Sequence, residues 1–184
     1  DLEDLSLRVE QATANARLVP RRGIVLAERP VIQQTVFAQR DPDAQSMSLE
    51  EQYALVSRYN DIVLGYRRIV DTQAAYVNQD ARVTYADTEG CRIVEERPMV
   101  QISLVATARD GTNVQRSADG TSSTTGFAPL LGMDDLARQV AQRATDLLSA
   151  QTVIGGVYPV VCDPRLAGVF VHEAFGHLSE ADFV

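Results

Sequence analysis

The spacing of apolar residues changes at about Arg67, and one class of secondary structure cannot accommodate both halves of the chain. Upstream, Leu2, Leu5, Val9 and Ala12 recur at helical intervals and predict an amphipathic helix over residues 3–16. The stretch from Val19 to Asp43 carries Pro20, Pro30 and Pro42 and reads as loop with room for one short strand. A second helix is announced by Ser48 with Glu51 three residues later. This is a capping box in which each side chain satisfies the other's backbone donor, and Tyr53, Val56, Ile62 and Val63 form an apolar side through residue 64.

Downstream the period is two: Val70, Thr72, Ala74 and Tyr76, then Val83 and Tyr85, then Ile102, Leu104, Ala106 and Ala108. This alternation predicts an antiparallel sheet. Its hairpins are expected at Asn78-Gln79-Asp80, at Glu89-Gly90 and above all at Asp110-Gly111, where residues that tolerate positive φ are available. The small polar run Ser117 to Thr125 reads as an exposed loop. A third helix is expected from Asp134, with acidic residues at its positive end and Leu136, Val140, Ala144, Leu147 and Leu148 as the buried stripe. Val157 to Cys162 reads as a short apolar strand, followed by a helix start at Asp163-Pro164. The expected fold is α+β: an antiparallel sheet with flanking helices. It is read as one unit over 1–184, mainly helical in 1–66 and, in 67–184, a sheet plus two helices.

Composition narrows the chemistry. Hydrophobic residues at 45% and charged ones at 23% suit a globular protein, and no apolar run approaches the roughly 20 residues of a membrane span. The 17 basic residues are all Arg, which excludes from this chain the lysine of a Walker loop, a Schiff base or a pyridoxal-phosphate linkage. A net charge of −8 disfavours nonspecific nucleic-acid binding. Cys91 and Cys162 lie far apart, outside any CxxC spacing, and no signal peptide is apparent, so a reducing cytoplasm is the expected location. The first residue is Asp and the last, Val184, falls seven positions after His177; the expectation is an incomplete piece of a larger protein.

The last predicted helix carries His172-Glu173-Ala174-Phe175-Gly176-His177. Neutral imidazoles bind zinc, and a hydrolytic site needs about three protein ligands plus an open position. His172 and His177 supply two, while Glu173 stands where a general base would take a proton from an attacking water. In the familiar HExxH arrangement the ligands are four apart. Here they are five apart, and on a regular helix that spacing sets the side chains roughly 140° apart, too far to chelate one ion. Metal binding by both therefore requires a π-type widening or a break, with Gly176 as the weak point. The alternative is that both histidines are incidental, one packed and one solvated.

The segment GVFVHEAFGHLSEADF closely resembles the metal-motif region of the TldD branch of the TldD/PmbA peptidases. RPMVQISLVATARDGTNVQRSADG and GGVYPVVCDPRLAG are similar to that family too, so the resemblance covers the second half of the chain well and the first half loosely. It implies a cytosolic zinc metallopeptidase with His172 and His177 as zinc ligands and Glu173 as the catalytic residue. It also implies a third ligand, a cysteine in the family's C-terminal half, to which neither Cys91 nor Cys162 corresponds. Implied partners are extended, unfolded peptide substrates and either a PmbA-type subunit or a second copy; the label of gyrase modulator comes with the family. On this reading the isolated piece is inactive. The competing reading is a non-catalytic partner or interaction module of such a complex.

Other residues stay open at this stage. Glu180 is a ligand, an acceptor holding an imidazole, or a solvated helix residue, and Asp182 is similar. Cys162 is expected to be a buried apolar residue of its strand rather than a metal ligand, and Cys91 inert. Arg97 and Arg109 either anchor a peptide carboxylate or phosphate or are solvated or held in surface ion pairs, and Asp134 and Asp135 read as helix-start charges. The Ser and Thr residues at 117–125 lack a base to activate one of them.

Overall fold

The computed structural model of the chain describes residues 2–18, 28–40, 43 and 46–180. Its regular elements are, in order, helix α1 (Leu2–Leu18), strand β1 (Gln33–Val36), helix α2 (Leu49–Leu64), strands β2 (Ile69–Ala86), β3 (Arg92–Asp110) and β4 (Asn113–Ser123), and helices α3 (Asp134–Leu147) and α4 (Pro164–Val171). The fold is α+β with a mostly antiparallel, open sheet, as the change of period predicts.

Strand β3 is the spine of the sheet. Along one edge it pairs antiparallel with β2, from Ile69 opposite Ala108 to Ala86 opposite Arg92. Along the other it pairs first with β1, in parallel over Arg92 to Glu95, and then antiparallel with β4 from Val100 to Asp110. Pro98 has no N–H to give to a ladder, and it falls in the gap between the end of β1 and the start of β4.

Two expected turns are formed, with Gly90 at φ 97° and Gly111 at φ 59°, values an L side chain rarely adopts. The hairpin expected at Asn78-Gln79-Asp80 is not. Those residues pair with Val100, Met99 and Pro98 in an unbroken ladder, so long-range pairing overrides local turn preference. Likewise Ser117 to Ser123, expected as loop, belongs to β4, because the Asp110-Gly111 turn sends the chain back along β3. Val157 to Cys162 goes the other way: among the described residues it has no strand partner, and Cys162 is exposed rather than buried.

One face of the sheet holds the core. Val100, Ile102, Leu104, Ala106 and Ala108 pack beneath α2 and α3 with Tyr59, Val63, Leu130 and Met133. The capping box is present, with Ser48 accepting from the Glu51 N–H and Glu51 accepting from the Ser48 N–H at 2.8 Å. Tyr53, placed on the apolar side by its spacing, is 75% exposed, while Tyr59 and Val63 are buried. In α3 the buried stripe is Ala137, Val140, Ala141 and Ala144, and Leu147 points outward. Small side chains let that helix lie close to the sheet. Arg58 links the two helices through Asp134, at 2.9 and 2.6 Å.

The Tyr59 hydroxyl, fully inside this core, donates to the Leu130 carbonyl at 2.7 Å and accepts from the Met133 N–H at 3.2 Å. Tyr59→Phe strands both backbone groups in apolar surroundings and is expected to cost about 1–3 kcal/mol, read as a lower Tm or denaturant midpoint. An unchanged midpoint would mean that the two groups find other partners.

Candidate metal centre

Helix α4 starts as its sequence dictates. Asp163 caps it by accepting the Leu166 N–H at 2.8 Å, and Pro164 fills the first turn, where no N–H is needed. The α-helical pattern ends at His172, whose N–H still bonds back to Gly168. From His172 to Gly176 the chain forms a π turn in which the His177 N–H donates to the His172 carbonyl, one residue longer than an α-helical bond.

That extra residue cancels most of the angular offset between the two histidines. Their rings meet edge to face with centroids 4.6 Å apart. Glu173 Oε2 lies 3.5 Å from His177 Nε2, and ligand atoms of His172, Glu173 and His177 all fall within 4.8 Å of one another. The widening occupies the stretch ending at Gly176, but not because space requires glycine there. An added Cβ would meet His172 Nδ1 at 3.8 Å and the Val171 carbonyl at 3.9 Å, both ordinary contacts.

Of the three roles open to Glu180, the geometry favours the imidazole acceptor: its Oε1 lies 2.8 Å from His177 Nδ1. A carboxylate accepts, so in a neutral imidazole this contact would place the hydrogen on Nδ1 and leave Nε2, 3.5 Å from Glu173 Oε2, as the donor to a metal. Two imidazoles beside a carboxylate, one imidazole oriented by Glu180, form a donor set that suits zinc. All three residues are exposed, as are Val169, Phe170, Val171, Phe175 and Leu178 around them.

The remaining candidates lie elsewhere. Arg97 binds Glu95 on its own strand at 2.6 Å, and Arg109 is exposed beside the β3–β4 hairpin. Asp134 and Asp135 do open a helix. Cys91 is buried, its sulfur accepting from Arg29 at 3.2 Å and from the Ile32 N–H at 3.3 Å. Asp182 falls outside the described residues.

Sequence reasoning overlooked Asp119 on β4, which binds Arg165 of α4 through two bonds of 2.8 and 3.0 Å and Arg143 of α3 at 2.7 Å. Arg165 first, then Arg143 and the Gly120 N–H, hold its carboxyl well below the usual carboxylate range despite the opposing effect of burial. A depressed folded-state value means that this link contributes at neutral pH and through mild acid, and is lost only in strong acid. A signal did exist: Arg165 sits in a helix's first turn, where the dipole disfavours a cation unless a carboxylate faces it.

Among the described residues no helix is long and apolar enough to cross a membrane. Residues 42–148 match the family described as the PmbA/TldA metallopeptidase central domain. Over 184 residues the chain is 39% identical to a protein named metalloprotease from Synechocystis, covering 99% of this chain and 40% of that one. It is 28% identical over 149 residues to a metalloprotease TldD homolog of Buchnera aphidicola, covering 76% of this chain and 31% of the relative. A zinc metalloprotease TldD homolog of Saccharolobus solfataricus is 28% identical over 108 residues, covering 58% and 24%. The chain thus spans well under half the length of these relatives. With the central-domain match extending over more than half of its residues, the chain belongs to the PmbA/TldA metallopeptidase family.

Proposed function

We propose that the full-length protein is a zinc-dependent peptidase acting on extended, unfolded peptides, with His172 and His177 as two metal ligands and Glu173 as general base. The observation that carries this is the π turn, which gathers the three donor groups within 4.8 Å where a regular helix would separate the histidines. The name of the Saccharolobus solfataricus relative supports zinc as the metal.

Bound zinc supplies a Lewis acid that lowers the pKa of water and polarises the scissile carbonyl. Glu173 accepts the proton of the attacking water and returns it to the leaving amine nitrogen. Glu180 holds His177 in the tautomer that presents Nε2. A third protein ligand is expected outside these 184 residues, so the isolated segment binds metal weakly and does not turn over. In this reading the protein is cytoplasmic and works as a pair, with a PmbA-type subunit or a second copy. Its substrate is polypeptide rather than nucleic acid, in keeping with the charge of −8.

Metal removal is the direct test. Chelated full-length protein should lose cleavage of an unfolded peptide, and zinc alone should restore it. Cleavage that persists without metal would overturn the reading. A zinc-loaded protein that never cleaves would favour the non-catalytic partner.

A further inference from the structure

Within these 184 residues the metal helix meets the sheet through polar contacts. Residues 151–163, which lead into it, form neither helix nor strand and are exposed, and along α4 only Ala167 is even half-buried. Within these 184 residues, therefore, apolar packing does little to fix where the helix stands. Among the described residues, the hydrogen bonds and ion pairs of residues 151–180 that reach beyond this segment all end on Asp119.

Asp119 is built to hold such a load. Its side chain is 9% exposed, and its four bonds use both oxygens: Arg165 and the Gly120 N–H on Oδ1, Arg165 and Arg143 on Oδ2. Two planar guanidiniums meeting one carboxylate fix direction as well as distance. Arg143 comes from α3, which is packed into the core, so the carboxylate is itself anchored from below.

We propose that Asp119 and Arg143 are positioning residues for the metal helix: through Arg165 they set where the His172–His177 turn stands relative to the sheet. The consequence for catalysis rests on the peptidase reading above; the attachment itself does not. A misplacement of about 1 Å in a reacting group can cost roughly 100-fold in rate, so a link that orients this helix is able to govern turnover.

The test uses full-length protein carrying Asp119→Asn or Arg165→Met, with Arg165→Lys as the conservative variant. Hydrogen exchange is followed in residues 164–176, in β3 and in α3, alongside zinc content and steady-state kinetics. In the first two variants, exchange in 164–176 should rise by about 10-fold or more while β3 and α3 stay protected. Turnover should fall by about 10- to 100-fold with KM and zinc content nearly unchanged, and Arg165→Lys should recover part of both effects. Unaltered exchange in 164–176 overturns the attachment. Exchange rising equally in β3 and α3 overturns positioning in favour of a general structural role. Wild-type protein without zinc-dependent turnover removes the peptidase reading, and the exchange data still decide the attachment.

Discussion

Glu173→Gln in the full-length protein is expected to lower turnover of an unfolded peptide by about 100- to 10,000-fold while leaving zinc content unchanged. Glutamine keeps the shape of the side chain but cannot accept the proton of the attacking water. The two imidazoles do not depend on it: His172 and His177 are brought together by the backbone register of the π turn, and His177 is oriented by Glu180. Metal analysis and kcat on the same preparation separate the roles. Loss of zinc in step with activity would make Glu173 a ligand, and wild-type turnover would remove it from the reaction.

Gly120→Val is expected to be the most damaging single change to the sheet. A Cβ at this position would fall inside contact distance of the Ile102 carbonyl oxygen and lie 3.2 Å from the Ser103 Cα. Both are backbone atoms of β3, the strand at the centre of the sheet, so relief requires opening the β3–β4 ladder. Overpacking of this kind costs about 3 kcal/mol, which for a chain of this size lowers the Tm by roughly 6–12 °C. The same substitution at Gly155, where a Cβ would meet nothing within 4 Å, should cost less than about 0.5 kcal/mol. Equal melting of the two variants would show that β4 can shift away from β3 at little cost. The Gly120 N–H also bonds Asp119, so the change should disturb the attachment of α4 as well.

Local signals proved reliable where the physics is local. The Ser48/Glu51 capping box, the Asp163-Pro164 helix start and the glycine turns at Gly90 and Gly111 all form where the residues call for them. The demand for a widened turn was legible for the same reason, since 3.6 residues per turn and a spacing of five leave few solutions. Errors gathered where distant strands decide the outcome. Asn78-Gln79-Asp80 runs straight because β3 continues beside it, and the polar run after Asp110 is a strand because β3 offers a free edge. The apolar run at Val157 to Cys162 finds no such edge among the described residues and stays outside the sheet.

By itself, then, the sequence displayed the donor groups of the candidate site and the local shape that shared metal binding would need: two imidazoles, a carboxylate, and a helix obliged to widen between them. It also determined the α+β class, through a change of hydrophobic period. Only the tertiary structure decided that Asp119, 46 positions before Arg165 in the chain, holds the metal helix to the sheet. The structure also chose among the roles open to Glu180, whose half-exposed side chain meets His177 Nδ1. Both depend on where a side chain comes to rest after the backbone has folded. Periodicity records which way a residue faces but not which charge will meet it there.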